Sequence, residues 1–188
     1  TQKKKKKKQL NPNNNSNQQT IQMAEAHTLA HFLNKTVFIR ADQGKGGFLT
    51  AEGEKIKVVD EPNEHSHWVV EAFENGKHIA FRAYNGHYLA VNDHKQIHLA
   101  HNRGQDSHLE PIKFDDDVLG SGPVFFGFKD RRNDWVSVDE HHHLKAEHKQ
   151  EASKHQKFHL EDVHNTHHKS HEHKPQHVVD IHAHDKKH

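Results

Sequence analysis

From Thr36 onward, apolar and polar residues alternate with a period of two, and turn chemistry interrupts the alternation about every ten residues. The first group of runs is Val37-Phe38-Ile39-Arg40-Ala41, the turn Gly44-Lys45-Gly46-Gly47, Phe48-Leu49-Thr50-Ala51, Lys55-Ile56-Lys57-Val58 and Trp68-Val69-Val70-Glu71. A second group follows: Ile79-Ala80-Phe81-Arg82-Ala83, the turn Asn85-Gly86, Tyr88-Leu89-Ala90-Val91, Ile97-His98-Leu99 and Leu109-Glu110. The third is Val124-Phe125-Phe126-Gly127-Phe128, the turn Arg131-Arg132-Asn133-Asp134, Trp135-Val136-Ser137-Val138, Leu144-Lys145-Ala146 and Phe158-His159-Leu160-Glu161. Phe48, Tyr88 and Trp135 hold equivalent places, 40 and 47 residues apart.

Each group supplies four short strands, too few to bury an apolar face alone, so the three must share one core about a pseudo-threefold axis. The pattern therefore predicts an all-β chain, a β-trefoil of three four-stranded repeats; a β-sandwich also accommodates twelve strands but does not call for a threefold repeat. In the middle repeat the alternation places Tyr88, Ala90, Ile97 and Leu99 on a dry face and His87, His94, His98 and His101 on a wet one. The core is expected to draw on Val37, Ile39, Phe48, Ile56, Trp68, Val70, Ile79, Phe81, Tyr88, Ile97, Leu99, Leu109, Phe126, Trp135, Val138, Leu144, Phe158 and Leu160.

The flanks lack this pattern. Residues 1–34 form a basic, Lys/Asn-rich extension: a run of Lys3, Lys4, Lys5, Lys6, Lys7 and Lys8, an Asn/Gln/Ser tract at 11–19, and apolar residues at 20–33 spaced for one short helix. Residues 35–163 hold the trefoil, and 164–188 a histidine-rich tail; both extensions are expected to be disordered. The hydrophobic fraction of 31% fits a modest core with long polar flanks.

Histidine changes the picture more than any other residue, with 25 in 188. With imidazoles neutral, residues 1–34 carry six lysines against Glu25, or +5, and residues 164–188 carry +1. The trefoil region carries seventeen Lys/Arg against twenty-two Asp/Glu, or −5, and its fourteen histidines can take it to +9. With imidazoles titrating at ~6.5, its sign reverses at pH ~6.7. Below that crossing it is drawn to acidic surfaces such as F-actin or anionic lipid headgroups, and salt screens the attraction. The candidates for this switch are His65, His67, His87, His94, His98, His101, His108, His141, His142, His143, His148 and His155, with Lys3 to Lys8 as a further anionic-surface contact.

The segments at 48–54, 88–101 and 135–143, together with the repeat and the histidine excess, resemble the hisactophilin family over residues 35–163. The resemblance implies a histidine-rich β-trefoil related in fold to fascin, binding actin filaments, in the cytoplasm at the cytoskeleton or cell cortex and peripherally on membranes. Three features depart from it. Asp115-Asp116-Asp117 and Gly120-Ser121-Gly122-Pro123 are additions to a minimal trefoil, and the chain begins at Thr1 with no glycine for the family's myristoyl group.

Other chemistries compete less well. Closely spaced imidazoles at His141, His142, His143, His167, His168, His171 and His173 suit opportunistic Zn²⁺, Ni²⁺ or Cu²⁺ binding, but nothing in the spacing fixes a ligand count, so no dedicated metal and no cofactor is expected. Cysteine is absent, which removes thiolate chemistry and disulfides. The segment 143–148 is one residue too long for an H-x-x-E-H motif, and Gly44-Lys45-Gly46-Gly47 lacks the ending of a phosphate-binding loop, so no enzyme is predicted. A carbohydrate-binding trefoil is a third possibility, although no Gln stands two residues before either tryptophan. No apolar run has membrane-spanning length. The acidic core argues against nucleic acid, and a monomer is expected.

Overall fold

A computed structural model describes residues 28–41, 46–73, 76–114 and 124–165. The lysine run, the Asn-rich tract, the N-terminal part of the expected helix, the Asp115 and Gly120 additions and the tail from 166, including His167, His168, His171 and His173, lie outside the described residues.

The described residues form twelve strands where the alternation places them, except that the last strand of the second repeat runs on past the expected Leu109-Glu110: β1 Thr36–Ala41, β2 Phe48–Glu52, β3 Lys55–Val59, β4 Trp68–Phe73, β5 His78–Ala83, β6 Tyr88–Val91, β7 Ile97–Ala100, β8 Glu110–Phe114, β9 Phe125–Lys129, β10 Trp135–Val138, β11 Leu144–Glu147 and β12 Phe158–Asp162. Six of them close a barrel. β1 pairs β12 and β4, β4 pairs β5, β8 pairs β9, and β9 pairs β12. The ring is completed between repeats' outer strands by the Ile79–Leu109 bridge, whose two N–H···O bonds are both 2.8 Å. The other six strands form the hairpins β2–β3, β6–β7 and β10–β11, each joined to the barrel at one register pair, Arg40↔Phe48, Arg82↔Tyr88 and Lys129↔Trp135. The chain is a β-trefoil.

The core is built in threefold layers of equivalent residues. Val37, Ile79 and Phe126 form one; Trp68, Leu109 and Phe158 another; Ile39, Phe81 and Phe128 a third; Leu49, Leu89 and Val136 a fourth. All twelve are essentially inaccessible, and each contributes about 1.5–3 kcal/mol of apolar burial. Several polar groups inside are paired: Thr50 Oγ1 lies 2.7 Å from Ser66 Oγ, Gln156 Nε2 donates to Ser137 Oγ at 2.8 Å, and Trp68 Nε1 donates to the Leu49 carbonyl at 2.8 Å. At the N-terminal end, Leu29–Phe32 forms a short 3-10 turn, and Leu29, Phe32 and Leu33 pack on the core, so packing reaches back before Thr36.

One expectation about the middle hairpin is corrected. Its register pairs Leu89 with Leu99 and Val91 with Ile97, so these four share the core side, while Tyr88 and Ala90 lie opposite with Ala100 and His98. The alternation loses its phase here because β6 is covered on both sides: Leu89, Ala90 and Val91 are all buried. Tyr88 is only half-buried, and its hydroxyl donates outward to Glu71 at 3.3 Å. Ile56, Ile97 and Leu144, also expected as core, are half-buried equivalents that pack against it from the hairpin end.

Candidate functional site: the ring of hairpin tips

The three hairpins touch one another pairwise, so their tips, residues 52–55, 92–96 and 139–143, belong to one assembly at the hairpin side of the barrel. Each tip is built locally. Asn92 Oδ1 accepts the backbone N–H groups of His94 and Gln96, and Asp139 Oδ1 accepts those of His141 and His143. These bonds hold the Asp139 carboxyl below its ordinary value, the His143 N–H being the main cause. Lys95 and His142 sit at left-handed φ of 61° and 62°, equivalent places in their turns, and Gly53 does so at 63° in the shorter first tip.

Every tip reaches onto the next repeat. The Leu99 N–H donates to the Glu54 carbonyl and the Ala146 N–H to that of Lys95, both at 3.1 Å. A charge pair lies at each junction, its tip residue, Glu54, Lys95 or His142, at an equivalent place. His101 Nε2 is 3.4 Å from Glu54, Lys95 Nζ is 3.4 Å from Asp134, which His148 Nδ1 also approaches at 3.2 Å, and His142 Nδ1 is 3.9 Å from Asp60. In two of the three junctions the ion pair exists only when a histidine is protonated. Around the second tip, Arg132 and Arg131 both reach Asp93, and the hydrogen bond from Arg132 lowers the Asp93 pKa.

The tips also reverse their charge. Glu52, Glu54, Asp93, Asp139 and Glu140 oppose Lys55 and Lys95, giving −3, and protonation of His94, His141, His142 and His143 brings the sum to +1. Arg131 and Arg132 offset Asp93 from outside and raise both figures together. All four tip histidines are exposed, as solvated charge carriers must be.

The remaining candidates divide by environment. His101 and His148 are exposed at the tip junctions. His65, His67, His87, His98, His108 and His155 are half-buried. His87 and His98 each bury Nδ1 with no hydrogen-bond partner, and His155 Nε2 lies 3.1 Å from Glu140. His67, one of the switch candidates, lies 5.3 Å from the Phe38 ring; burial lowers its pKa, against an opposing pull from Glu64 and with help from His164. Sequence reasoning missed the carboxylates that partner these histidines: Glu54 and Asp60 meet His101 and His142 across repeat boundaries, 47 and 82 residues away, and Asp134 meets His148 within the third repeat, 14 residues away.

Among the described residues no group of three or more His, Asp or Glu side chains is placed to hold a metal ion, and no helix is long and apolar enough to cross a membrane. A depression of about 420 Å³ between the second and third repeats mixes Lys129 and Arg131 with Glu110 and Asp130.

No family model matches the chain. Over 57 residues it is 40% identical to Hisactophilin-1 of Dictyostelium discoideum, a stretch that covers 30% of this chain and 47% of that protein. This is a partial likeness. Among solved structures, the GlcNAcα1-4Gal-releasing endo-β-galactosidase from Clostridium perfringens matches 69% of this chain and 32% of its own, at a TM-score of 0.56 and 16% identity. SeviL bound to the asialo-GM1 saccharide matches 69% of this chain and 98% of its own, at a TM-score of 0.56 and 9% identity. At those identities the fold alone is shared.

Proposed function

We propose that the chain is a pH-sensitive actin-filament-binding protein, a binding module and not an enzyme, acting in the cytoplasm at the cell cortex as a monomer. The observation that carries the reading is the ring of hairpin tips, whose charge passes from −3 to +1 as four exposed histidines protonate. Such a surface repels an acidic partner at slightly alkaline pH and attracts it at slightly acidic pH. The partial identity with Hisactophilin-1 supports actin as that partner. Anionic membrane carries the same sign of charge, so the basic run Lys3 to Lys8 is proposed as a second contact with such a surface.

The test is filament co-sedimentation at about pH 6.2 and about pH 7.6. Pelleting at the lower pH that falls steeply at the higher one supports the reading. Equal pelleting at both sinks the switch, and no pelleting at either sinks the actin assignment. Metal buffering predicts a different result: stoichiometric Zn²⁺ uptake with no filament binding at either pH.

A further inference from the structure

We infer that Tyr84 is the anchor side chain with which this domain grips an acidic protein surface; this rests on the actin reading above and names the contact within it. Tyr84 is the one large apolar side chain exposed among the described residues, at 49%. It opens the turn between β5 and β6, and its ring lies flat on the His65 imidazole, with centroids 4.0 Å apart and planes 4° apart.

The fold itself does not require an aromatic there. At the equivalent place in the third repeat stands Arg131, whose Nε donates to Asp106 at 3.0 Å, and Asp106 occupies the place in the second repeat that His65 occupies in the first. An ordinary ion pair therefore suffices to clasp one repeat to the next at this position. Tyr84 makes the same clasp by stacking, and still leaves about half of its surface exposed. A half-exposed tyrosine, rigid and amphipathic, is the kind of residue that concentrates binding energy at interfaces.

The charges around it select the partner. Glu64 lies 3.8 Å from His65, and at the other end of the same turn His87 stacks edge-on to His101, which lies 3.4 Å from Glu54. Asn85 Nδ2 ties the turn to the Gly53 carbonyl at 3.3 Å, so Glu54 stays beside it. When His65 and His101 are protonated they offset Glu64 and Glu54, and Tyr84 stacks on an imidazolium group. When they are neutral, the two carboxylates dominate and repel an acidic surface. The occupant that fits is a shallow apolar recess rimmed by carboxylates on the filament, taking the ring and meeting the imidazolium groups at its edge.

The experiment compares Tyr84→Ser, Tyr84→Phe and the unaltered chain in filament co-sedimentation at about pH 6.2, with thermal melts as a control for folding. We expect Tyr84→Ser to weaken binding roughly tenfold or more while Tyr84→Phe stays within about threefold, with both variants folded at the assay temperature and the melt of Tyr84→Ser lowered by only a few degrees for its lost clasp. Binding of Tyr84→Ser equal to that of the unaltered chain overturns the anchor role and leaves the actin reading standing. An unaltered chain that fails to pellet overturns both.

Discussion

Replacing the tip histidines by neutral residues, with His94, His141 and His143 changed to Gln and His142 to Asn, holds the ring at −3 at every pH where its carboxylates are ionised. Asn is chosen at 142 because that residue sits at φ 62°, a conformation Asn tolerates better than Gln. All four side chains are exposed, so the fold is expected to survive. One elementary charge about 10 Å from a partner charge in water is worth ~0.4 kcal/mol, so four are worth ~1.6 kcal/mol, or about 15-fold in affinity at low salt. At 0.1 M salt, where the Debye length equals that separation, the same four charges are worth ~0.6 kcal/mol, or about threefold. The assay is filament co-sedimentation at about pH 6.2 at two salt concentrations, with the same pair at about pH 7.6 as reference. If the variant binds as tightly as the unaltered chain at low salt and acid pH, the tip ring does not carry the switch.

Four further variants test the fold beneath the site. Leu89→Ala removes a core side chain paired with Leu99 and is expected to cost ~3 kcal/mol, lowering the melting temperature by about 10 °C. Tyr88→Phe, which loses only the hydroxyl contact to Glu71, is expected to cost ~1 kcal/mol in urea unfolding; the reverse order would restore the first expectation about the hairpin's dry face. Gly127→Ala places a Cβ 2.5 Å from Trp135 Cζ3 and 2.8 Å from Phe114 Cε2, and the displaced rings should cost about 1–3 kcal/mol, read as a fall in the urea midpoint with an altered Trp emission. His67 has a lowered pKa in the folded chain, so the unfolded chain takes up its proton first on acidification. Stability from this residue is therefore present above pH ~6.5 and is lost as pH falls through that value. His67→Gln should lose less stability than the unaltered chain between about pH 7.5 and about pH 5.5, and an identical loss would show that His67 is not the cause.

The threefold repeat was legible because a trefoil needs three equivalent apolar patterns, and the chain carries them at Phe48, Tyr88 and Trp135 and at Trp68, Leu109 and Phe158. Phase within a hairpin was less legible. Alternation reports a face only when the other face is wet, and β6 is buried on both. The histidine excess was equally plain, and so was the loop placement of His94, His141, His142 and His143, since polar turn residues precede each. What sequence order hides is which acid meets which histidine. His101 finds Glu54 and His142 finds Asp60 only because each hairpin tip overlaps the following repeat. The same holds for Tyr84 and His65, nineteen residues apart and joined by a contact between repeats.

The most direct test of the charge switch is the salt dependence of filament binding at acid and alkaline pH, measured on the unaltered chain. At about pH 6.2 the affinity should fall steeply with rising salt. At about pH 7.6 the tips repel the filament, so binding should be weaker and fall less steeply with salt than at acid pH, Lys3 to Lys8 supplying what attraction is left. Affinity that falls with salt equally at both pH values would contradict the account, since it would place the attraction on charges that do not titrate, such as Lys3 to Lys8, and not on the hairpin tips.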